Sequence, residues 1–311
     1  EQRENLNRMG TGYDTYTMSA LTKGKVAPHK VNIFISPYEI TEEDNEQIQS
    51  YLSECGGYAV WIYGAGYSDG THTSDSITNM KELTGFDIGI SEGTHALQTE
   101  ISNSASPLVE GLAHKRFGTH SQFISPQFYI KDTDSSIKLG YNTDGGTASL
   151  GVKDYNGYKS IYSSSPGLPT NLLRNILKAA DVHMYSLNNN DLIYSNSRYI
   201  ALHSVVEEEK TIYLEKNHAI WDEFKQEYIS LNTNIIKYHH ESNDTKVFRL
   251  DPVGGIVLPD ENENKKKDED KTGVNMTEFI LTTLVIVLVI AAAICLKLFL
   301  PLLWRNKKHE A

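Results

Sequence analysis

Cysteine is scarce in this sequence: there are two in 311 residues, Cys55 and Cys295. Cys295 lies inside a long apolar run, so the two do not read as a disulfide pair, and there is no CxxC spacing of the kind that holds zinc. A disulfide scaffold and a structural zinc site are therefore both excluded. Positive charge is also in deficit, with 29 Lys and Arg against 40 Asp and Glu and a net charge of −11. That balance argues against a general affinity for nucleic acid or for anionic lipid. No internal repeat is found, and biased composition is confined to one charged stretch near residue 265. No signal peptide is visible, and Glu1 falls inside what reads as a helix, so the expectation is a natural start that is missing or processed. What remains, with 39% apolar residues, is enough for a sizeable core.

The strongest positive signal is the run FILTTLVIVLVIAAAICL, Phe279 to Leu296, which carries no charge over 18 residues. As a helix it is about 27 Å long, close to the hydrocarbon thickness of a bilayer. Lys297 can snorkel, LFLPLL extends the run to Leu303, and Trp304 suits the interface. A membrane-spanning helix is expected over residues 279–303, with Phe279 and Leu303 at its ends and a short cytoplasmic tail over 304–311. Before it, residues 260–278 begin DENENKKKDEDKTGV and read as a solvated tether. Lys265, Lys266, Lys267 and Lys271 precede the span, while Lys297, Arg305, Lys307 and Lys308 follow it, so the positive-inside rule is tied. An exterior or lumenal domain is expected, with a tail-anchored cytosolic domain as the alternative.

Upstream, Glu1 to Met9 reads as a helix, and Tyr13 to Tyr16 as a short strand. The apolar run VNIFI (Val31–Ile35) reads as a strand buried on both faces. Thr41-Glu-Glu-Asp44 makes a capping box for a helix that ends near Gly56-Gly57, and YAVWIY (Tyr58–Tyr63) is a second buried strand. This βαβ spacing predicts parallel pairing. From Ile137 to Ser164 the pattern changes to alternation punctuated by Asp144-Gly-Gly and Asn156-Gly157, which predicts an antiparallel meander. A helix capped by Thr170 follows, then short strands at VHMY, LIY, YIALH and TIYL.

The order of these words carries a resemblance. A helix with YDTY is followed by VNIFISPYEIT, CGGYAVWIYGAGY and ELTGF, then by GYKSIYSSSPGLPTNLLRNILKAADVHMY, NDLIYSNSRYIALH and KTIYL. Over about residues 1–220 this resembles the middle, so-called trimerisation domain of family-42-type β-galactosidases, which belongs to the class I glutamine amidotransferase-like superfamily. The resemblance implies an α/β, flavodoxin-like, doubly wound and mainly parallel sheet carrying the antiparallel meander, with residues 221–259 as a C-terminal extension and the transmembrane helix beyond. It implies a neighbouring catalytic (β/α)8 barrel whose glutamates perform the hydrolysis. The present chain lacks such a barrel, so the visible part is expected to be structural or oligomerising rather than catalytic, in a membrane-anchored, β-galactosidase-like surface protein. The rivals are a stand-alone binding or adhesion ectodomain and an active amidotransferase-like hydrolase.

An amidotransferase needs a cysteine on a strand-to-helix elbow, with a histidine and a glutamate nearby. The matching turn is Gly64-Ala65-Gly66, a degenerate elbow with alanine where the nucleophile would stand. Cys55 lies on the wrong side of the strand and reads as a packing residue, and His183 is followed by Met184 and Tyr185 rather than by the His-x-Glu partner. His239-His240 with Glu241 could be a metal patch, but neighbours on a strand point to opposite faces, and a solvated surface is expected. The basic stretch His114, Lys115, Arg116 and His120 reads as a solvated loop. The 18 tyrosines, with Trp61 and Trp221, are expected mainly in packing, with sugar stacking as the alternative. No catalytic residue, metal or cofactor is assigned. The expected partners are the membrane, a carbohydrate and a second copy of the chain. Asn243 and Asn275 begin N-glycosylation sequons, Asn243 being the better placed because Asn275 adjoins the apolar run.

Overall fold

The computed structural model describes residues 2–70, 77–132 and 136–254, apart from the Ser121 side chain. Glu1–Ile256 forms one compact unit and Val257–Ala311 a second, which lies outside the described residues. The tether, the 279–303 span, its ends Phe279 and Leu303, and Asn275 fall in that second unit. Among the described residues no helix is long and apolar enough to cross a membrane.

The helices are α1 (Gln2–Asn7), α2 (Met18–Thr22), α3 (Glu42–Cys55), α4 (Ile77–Thr84) and α5 (Thr170–Ala179). The strands are β1 (Val31–Ile35), β2 (Tyr58–Ile62), β3 (Ile88–Ser91), β4 (His95–Ile101), β5 (Arg116–Ile124), β6 (Gln127–Ile130), β7 (Ile137–Asn142), β8 (Ala148–Tyr155) and β9 (Tyr158–Ser163). After α5 come β10 (Leu192–Ser195), β11 (Tyr199–Ser204), β12 (Glu208–Asp222), β13 (Glu227–His240) and β14 (Asp244–Asp251).

The flavodoxin-like expectation is corrected. The first sheet has the order β1-β2-β9-β8-β7-β4-β5, and only β1–β2 and β2–β9 pair in parallel. The remaining neighbours are antiparallel, with register shifts in β4–β5 and β7–β8, and the sheet curls into a mixed half-barrel in a molecule dominated by strands. A doubly wound sheet needs a crossover helix for each parallel strand. Here α3 supplies one such crossover, between β1 and β2. After α4 the chain instead builds strands β3 to β9, with a 3-10 turn at Pro107–Val109 as the one helical element among the described residues of that stretch. α5 then leads into a different sheet. The βαβ reading holds for residues 31–62 and does not extend to the rest.

Local signals account for the elements that do form. Thr41 accepts from the Asp44 amide at 3.1 Å to open α3, and Gly56, at φ 62, closes it. α5 begins at Thr170 with Pro169 at its N-cap position and no side-chain cap, so its apolar face does the work. Leu172, Leu173, Ile176 and Leu177 pack on Val60, Ile62, Leu150 and Ile161, each burial contributing roughly 1.5–3 kcal/mol. The opposite face of the sheet packs Trp61 and Tyr162 against Ile48 and Leu52 of α3 and Met80 and Leu83 of α4. Residues 13–16 and 182–185, expected as strands, are irregular.

The second sheet, β10-β11-β14-β12-β13, is wholly antiparallel around Ile193, Ile200, Leu202, Ile212, Ile220 and Phe248. β12 runs through residue 220, so residues 221–251 complete this sheet. Arg174 of α5 holds the segment after α1 and the loop before β10 by donating to the carbonyls of Arg8 at 3.1 Å, Asn188 at 3.3 Å and Ser186 at 2.7 Å. Gly10 sits at φ 86, and a Cβ there would meet the Ser186 oxygen at 2.3 Å, so the close approach requires glycine.

Candidate functional site

The C-terminal ends of β1, β2 and β9 are where an amidotransferase-like centre would stand. β2 ends at Ile62, and the following turn has two left-handed residues, Tyr63 at φ 61 and Gly66 at φ 73. The Tyr63 amide donates to the Ser163 carbonyl at 2.7 Å, and the Gly66 amide to Pro37 at 2.8 Å. The Gly64-Ala65-Gly66 turn is packed shut. Ala65 is 0% exposed. A Cβ at Gly64 would lie 3.0 Å from the Tyr38 ring and 3.2 Å from Phe128. Tyr63 and Tyr67 stand edge-on to Phe128 at 5.2 and 5.0 Å, and the Tyr63 hydroxyl donates to Pro126 at 3.0 Å. The role of Tyr63 had no sequence signal, since tyrosine rarely adopts positive φ.

Below the turn lies a buried hydroxyl cluster. Thr99 Oγ1 is 2.8 Å from both Ser149 Oγ and Ser165 Oγ, and Ser163 donates to the Ser165 carbonyl at 2.7 Å. None of these hydroxyls bonds a histidine, so no serine here has the base that nucleophilic attack requires. Cys55 is a free, half-buried thiol at the end of α3. Burial and then the neighbouring Cys55 raise the Tyr51 hydroxyl well above its ordinary range.

The buried acids have structural partners too. Asp132 accepts from Lys153 at 2.6 Å, Asp191 accepts from Lys210 at 2.5 Å, and Asp222 caps the amides of Phe224 and Lys225 at 2.9 and 3.0 Å. None of the three is free to act as a general acid or base.

A groove of about 680 Å³ runs along β1, an edge strand of the first sheet. Tyr13, Asp14, Tyr16, His29, Asn32 and Glu215 line it. Tyr13 and Tyr16 are exposed, and the Tyr16 and His29 rings lie 6.0 Å apart. Tyr51 donates to Asn32 Oδ1 at 3.0 Å, which fixes that amide. Aromatic faces beside planar polar groups suit a hydroxyl-rich ligand.

His239 and His240 point to opposite faces, as strand geometry requires. His240 is buried, with Nε2 3.1 Å from the Asp244 carbonyl oxygen. His239 is exposed. Its Nδ1 lies 3.1 Å from Glu209, and its Nε2 lies 3.5 Å from Glu207 and 3.6 Å from Glu241. Glu207, His239 and Glu241 have ligand atoms within 4.8 Å of one another, a set that could hold a divalent ion. Glu207 and Glu209 escaped notice in the sequence because the β12–β13 register brings them in from 30 or so residues away, as in the Glu209–His239 pair.

The basic stretch, expected as a loop, runs into β5 from Arg116 on, and two of its four residues share one carboxylate. Arg116 meets Glu100 at 2.6 Å and His114 meets it at 3.4 Å, and hydrogen bonding to Arg116 is the main cause holding the Glu100 carboxyl below its usual value. Neither Trp61 nor Trp221 is an open platform. Trp61 stacks on Phe34 at 4.2 Å, and Trp221 lies under the Arg249 guanidinium at 5.0 Å and beside Tyr228 at 4.9 Å. Asn243 is exposed at φ 58, on the turn between β13 and β14.

No family model matches this sequence, and no curated protein matches it. Solved structures do share the fold. The β-galactosidase from Bacillus circulans sp. alkalophilus superposes with a TM-score of 0.54 at 14% identity, covering 79% of this chain and 36% of its own. Gan42B, a GH42 β-galactosidase from G. stearothermophilus, gives a TM-score of 0.54 at 12% identity, covering 80% and 35%. The β-galactosidase from the Antarctic haloarchaeon Halorubrum lacusprofundi gives 0.53 at 12% identity, covering 81% and 35%. The chain thus spans about a third of the length of the solved structures it matches. The likeness is one of fold.

Proposed function

We propose that this chain is a non-catalytic supporting part of a β-galactosidase-related, carbohydrate-active protein. Residues 279–303 hold it at a membrane, with the folded part outside the cell or in a lumen. The observation that carries the non-catalytic reading is the closed turn after β2. Ala65 offers no nucleophile, and Tyr38, Tyr67 and Phe128 fill the space a substrate would need. The fold likeness supports the glycoside hydrolase relationship, and the apolar run with its charged tether supports the anchor.

The test is turnover of glutamine and of nitrophenyl β-galactoside by the purified full chain. No turnover above a buffer blank is expected. Turnover that survives Cys55→Ala overturns the non-catalytic reading, and turnover lost in Cys55→Ala makes Cys55 a nucleophile.

The groove along β1 favours a second reading, a binding part that needs no attached barrel. Tyr13 and Tyr16 would stack on sugar rings while Asp14 and Asn32 meet hydroxyls. Titration with galactose-containing oligosaccharides, followed by tyrosine fluorescence, would show saturable binding that Tyr16→Ala weakens about ten-fold, the value of one aromatic contact. A flat titration of the wild-type chain removes this reading.

A further inference from the structure

Glu207, Glu209, His239 and Glu241 meet at one end of the second sheet. Over this stretch the β12–β13 register is unbroken, from Glu208 opposite His240 to Tyr213 opposite Ile235, and Glu209 stands directly opposite His239. Alternate residues turn inward, with Lys210 and Ile212 of β12 and Ile236 and His240 of β13 buried. Glu209 and His239 therefore share the outer face. Glu207 lies in the loop between β11 and β12, and Glu241 in the turn between β13 and β14. Those two connections already touch, because Ser242 donates to the Val205 carbonyl at 2.8 Å.

Charge at this corner is unbalanced. Each of the three carboxylates is paired with His239, and among the described residues no lysine or arginine pairs with any of them. The Nδ1 side of the His239 ring is satisfied by Glu209 at 3.1 Å. Nε2 is left facing Glu207 at 3.5 Å and Glu241 at 3.6 Å, too far for a good hydrogen bond to either. Those spacings fit a shared ion instead. A tetrahedral zinc with bonds of about 2.0–2.2 Å holds its ligand atoms about 3.3–3.6 Å apart. The ligand atoms of Glu207, His239 and Glu241 all lie within 4.8 Å of one another, so small rotations of two exposed glutamates complete the set.

We propose that Glu207, His239 and Glu241 bind a zinc-class divalent ion, with Glu209 as the positioning residue that holds the ring by Nδ1 and leaves Nε2 free. Unlike the cysteine-held site that the sequence excludes, this one uses an imidazole and two carboxylates, with water completing the coordination. Imidazole favours zinc over calcium or magnesium, which take oxygen ligands. A carboxylate behind a metal-bound histidine is the usual way to fix its tautomer. The ion fastens the β11–β12 loop to the β13–β14 turn and offsets the crowding of like charges. With three exposed protein ligands it is held less tightly than in a closed four-ligand site.

The experiment uses the full chain, free of any polyhistidine tag, with Cys55→Ser, Cys295→Ser and His309→Gln removing other soft ligands. Zinc is titrated by calorimetry, and cobalt by its visible absorption. One zinc per chain is expected, and an intense tetrahedral cobalt band. His239→Ala should abolish saturable binding, and Glu207→Gln or Glu241→Gln should each weaken it about ten-fold or more. Glu209→Ala should weaken zinc about 10- to 100-fold while the cobalt band keeps its shape. Glu209→Gln, which retains an accepting oxygen, should recover part of that loss, whereas a residue acting through charge alone would leave the two variants equal. Zinc should raise the unfolding midpoint of the background chain and leave that of His239→Ala unchanged. Because all four side chains are exposed, the variants should keep the parent circular dichroism without metal.

Absence of saturable zinc binding, binding retained in His239→Ala, or a weak octahedral cobalt spectrum would each overturn the proposal. So would displacement of zinc by an equal concentration of calcium or magnesium, and equal affinities for Glu209→Ala and Glu209→Gln would remove the positioning role. None of these results bears on turnover or on saccharide binding.

Discussion

Lys210 and Asp191 form an ion pair at 2.5 Å in which both side chains are 2% exposed, and Ser186 donates to the other Asp191 oxygen at 2.6 Å. Lys210 also bonds Glu208. The pair joins β12 to the loop between α5 and β10, close to the carbonyl of Ser186 that Arg174 holds. Removing one partner leaves the other charged and out of water. Lys210→Met is therefore expected to cost about 3–5 kcal/mol, and Asp191→Asn a comparable amount. The double variant Lys210→Met with Asp191→Leu should cost clearly less than the sum, because it buries no lone charge. Urea unfolding of the three variants measures this, and a loss below about 1 kcal/mol for Lys210→Met would mean the pair is solvated.

His95 opens β4, with Nδ1 2.8 Å from Asp144 and Nε2 2.9 Å from the Glu92 carbonyl oxygen. Both neighbours accept, so the doubly protonated ring satisfies both, and the bond to Asp144 is the main cause raising the His95 pKa from 6.5. The folded-state value is above the unfolded one. The stability this adds is fully present below about pH 6.5 and is lost as pH rises through the raised value. The expected outcome is that His95→Gln costs more stability at pH 5.5 than at pH 8.5, read from denaturant midpoints. Equal losses at both pH values would show that the ring stays neutral.

A third expectation concerns the closed turn. In a Cys55→Ser, Cys295→Ser background, Ala65→Cys adds a lone thiol at a position that is 0% exposed. The extra sulfur overpacks the site by about 1–3 kcal/mol without opening it. The thiol should resist an aqueous thiol reagent in buffer and react promptly in denaturant. Fast labelling in buffer would show that Tyr38, Tyr67 and Phe128 do not seal the elbow.

How far the sequence could be read follows from the range of each signal. Thr41, Gly56 and the apolar runs of β1 and β2 are local signals that specified α3 and its flanking strands, but β1, read as a central strand buried on both faces, is an edge strand with Ile35 exposed. The Asn156-Gly157 turn likewise announced the β8–β9 hairpin. The identity of the whole sheet was not legible, because β2 pairs with β9 about 100 residues later, and nothing in either strand names its neighbour. The same holds at the surface. His239 and Glu241 were visible as a local word, while Glu207 and Glu209 join them only through the β12–β13 register. The left-handed Tyr63 was overlooked because the glycines on either side of Ala65 drew attention two residues further along the chain.

The last expectation tests which side of the membrane holds the folded part. Asn243 stands exposed on the β13–β14 turn at φ 58, so its sequon is open to a glycosyltransferase. Thr245, the third residue of that sequon, pairs with His203 in β11, with its hydroxyl 3.0 Å from Nδ1, so the turn is held in one conformation. Asn243→Asp removes the acceptor yet tolerates the left-handed backbone, because aspartate shares asparagine's capacity for positive φ. Expressed with its native N-terminus in a glycosylating cell, an exterior or lumenal domain should carry an endoglycosidase-sensitive mass that Asn243→Asp abolishes. Protease added to intact cells should then cut the lysine-rich tether of a chain at the cell surface. A cytosolic, tail-anchored domain would show no such mass, full protection in intact cells, and cleavage once the plasma membrane is selectively permeabilised. That pattern would reverse the topology proposed above while leaving the fold and the closed elbow unaffected.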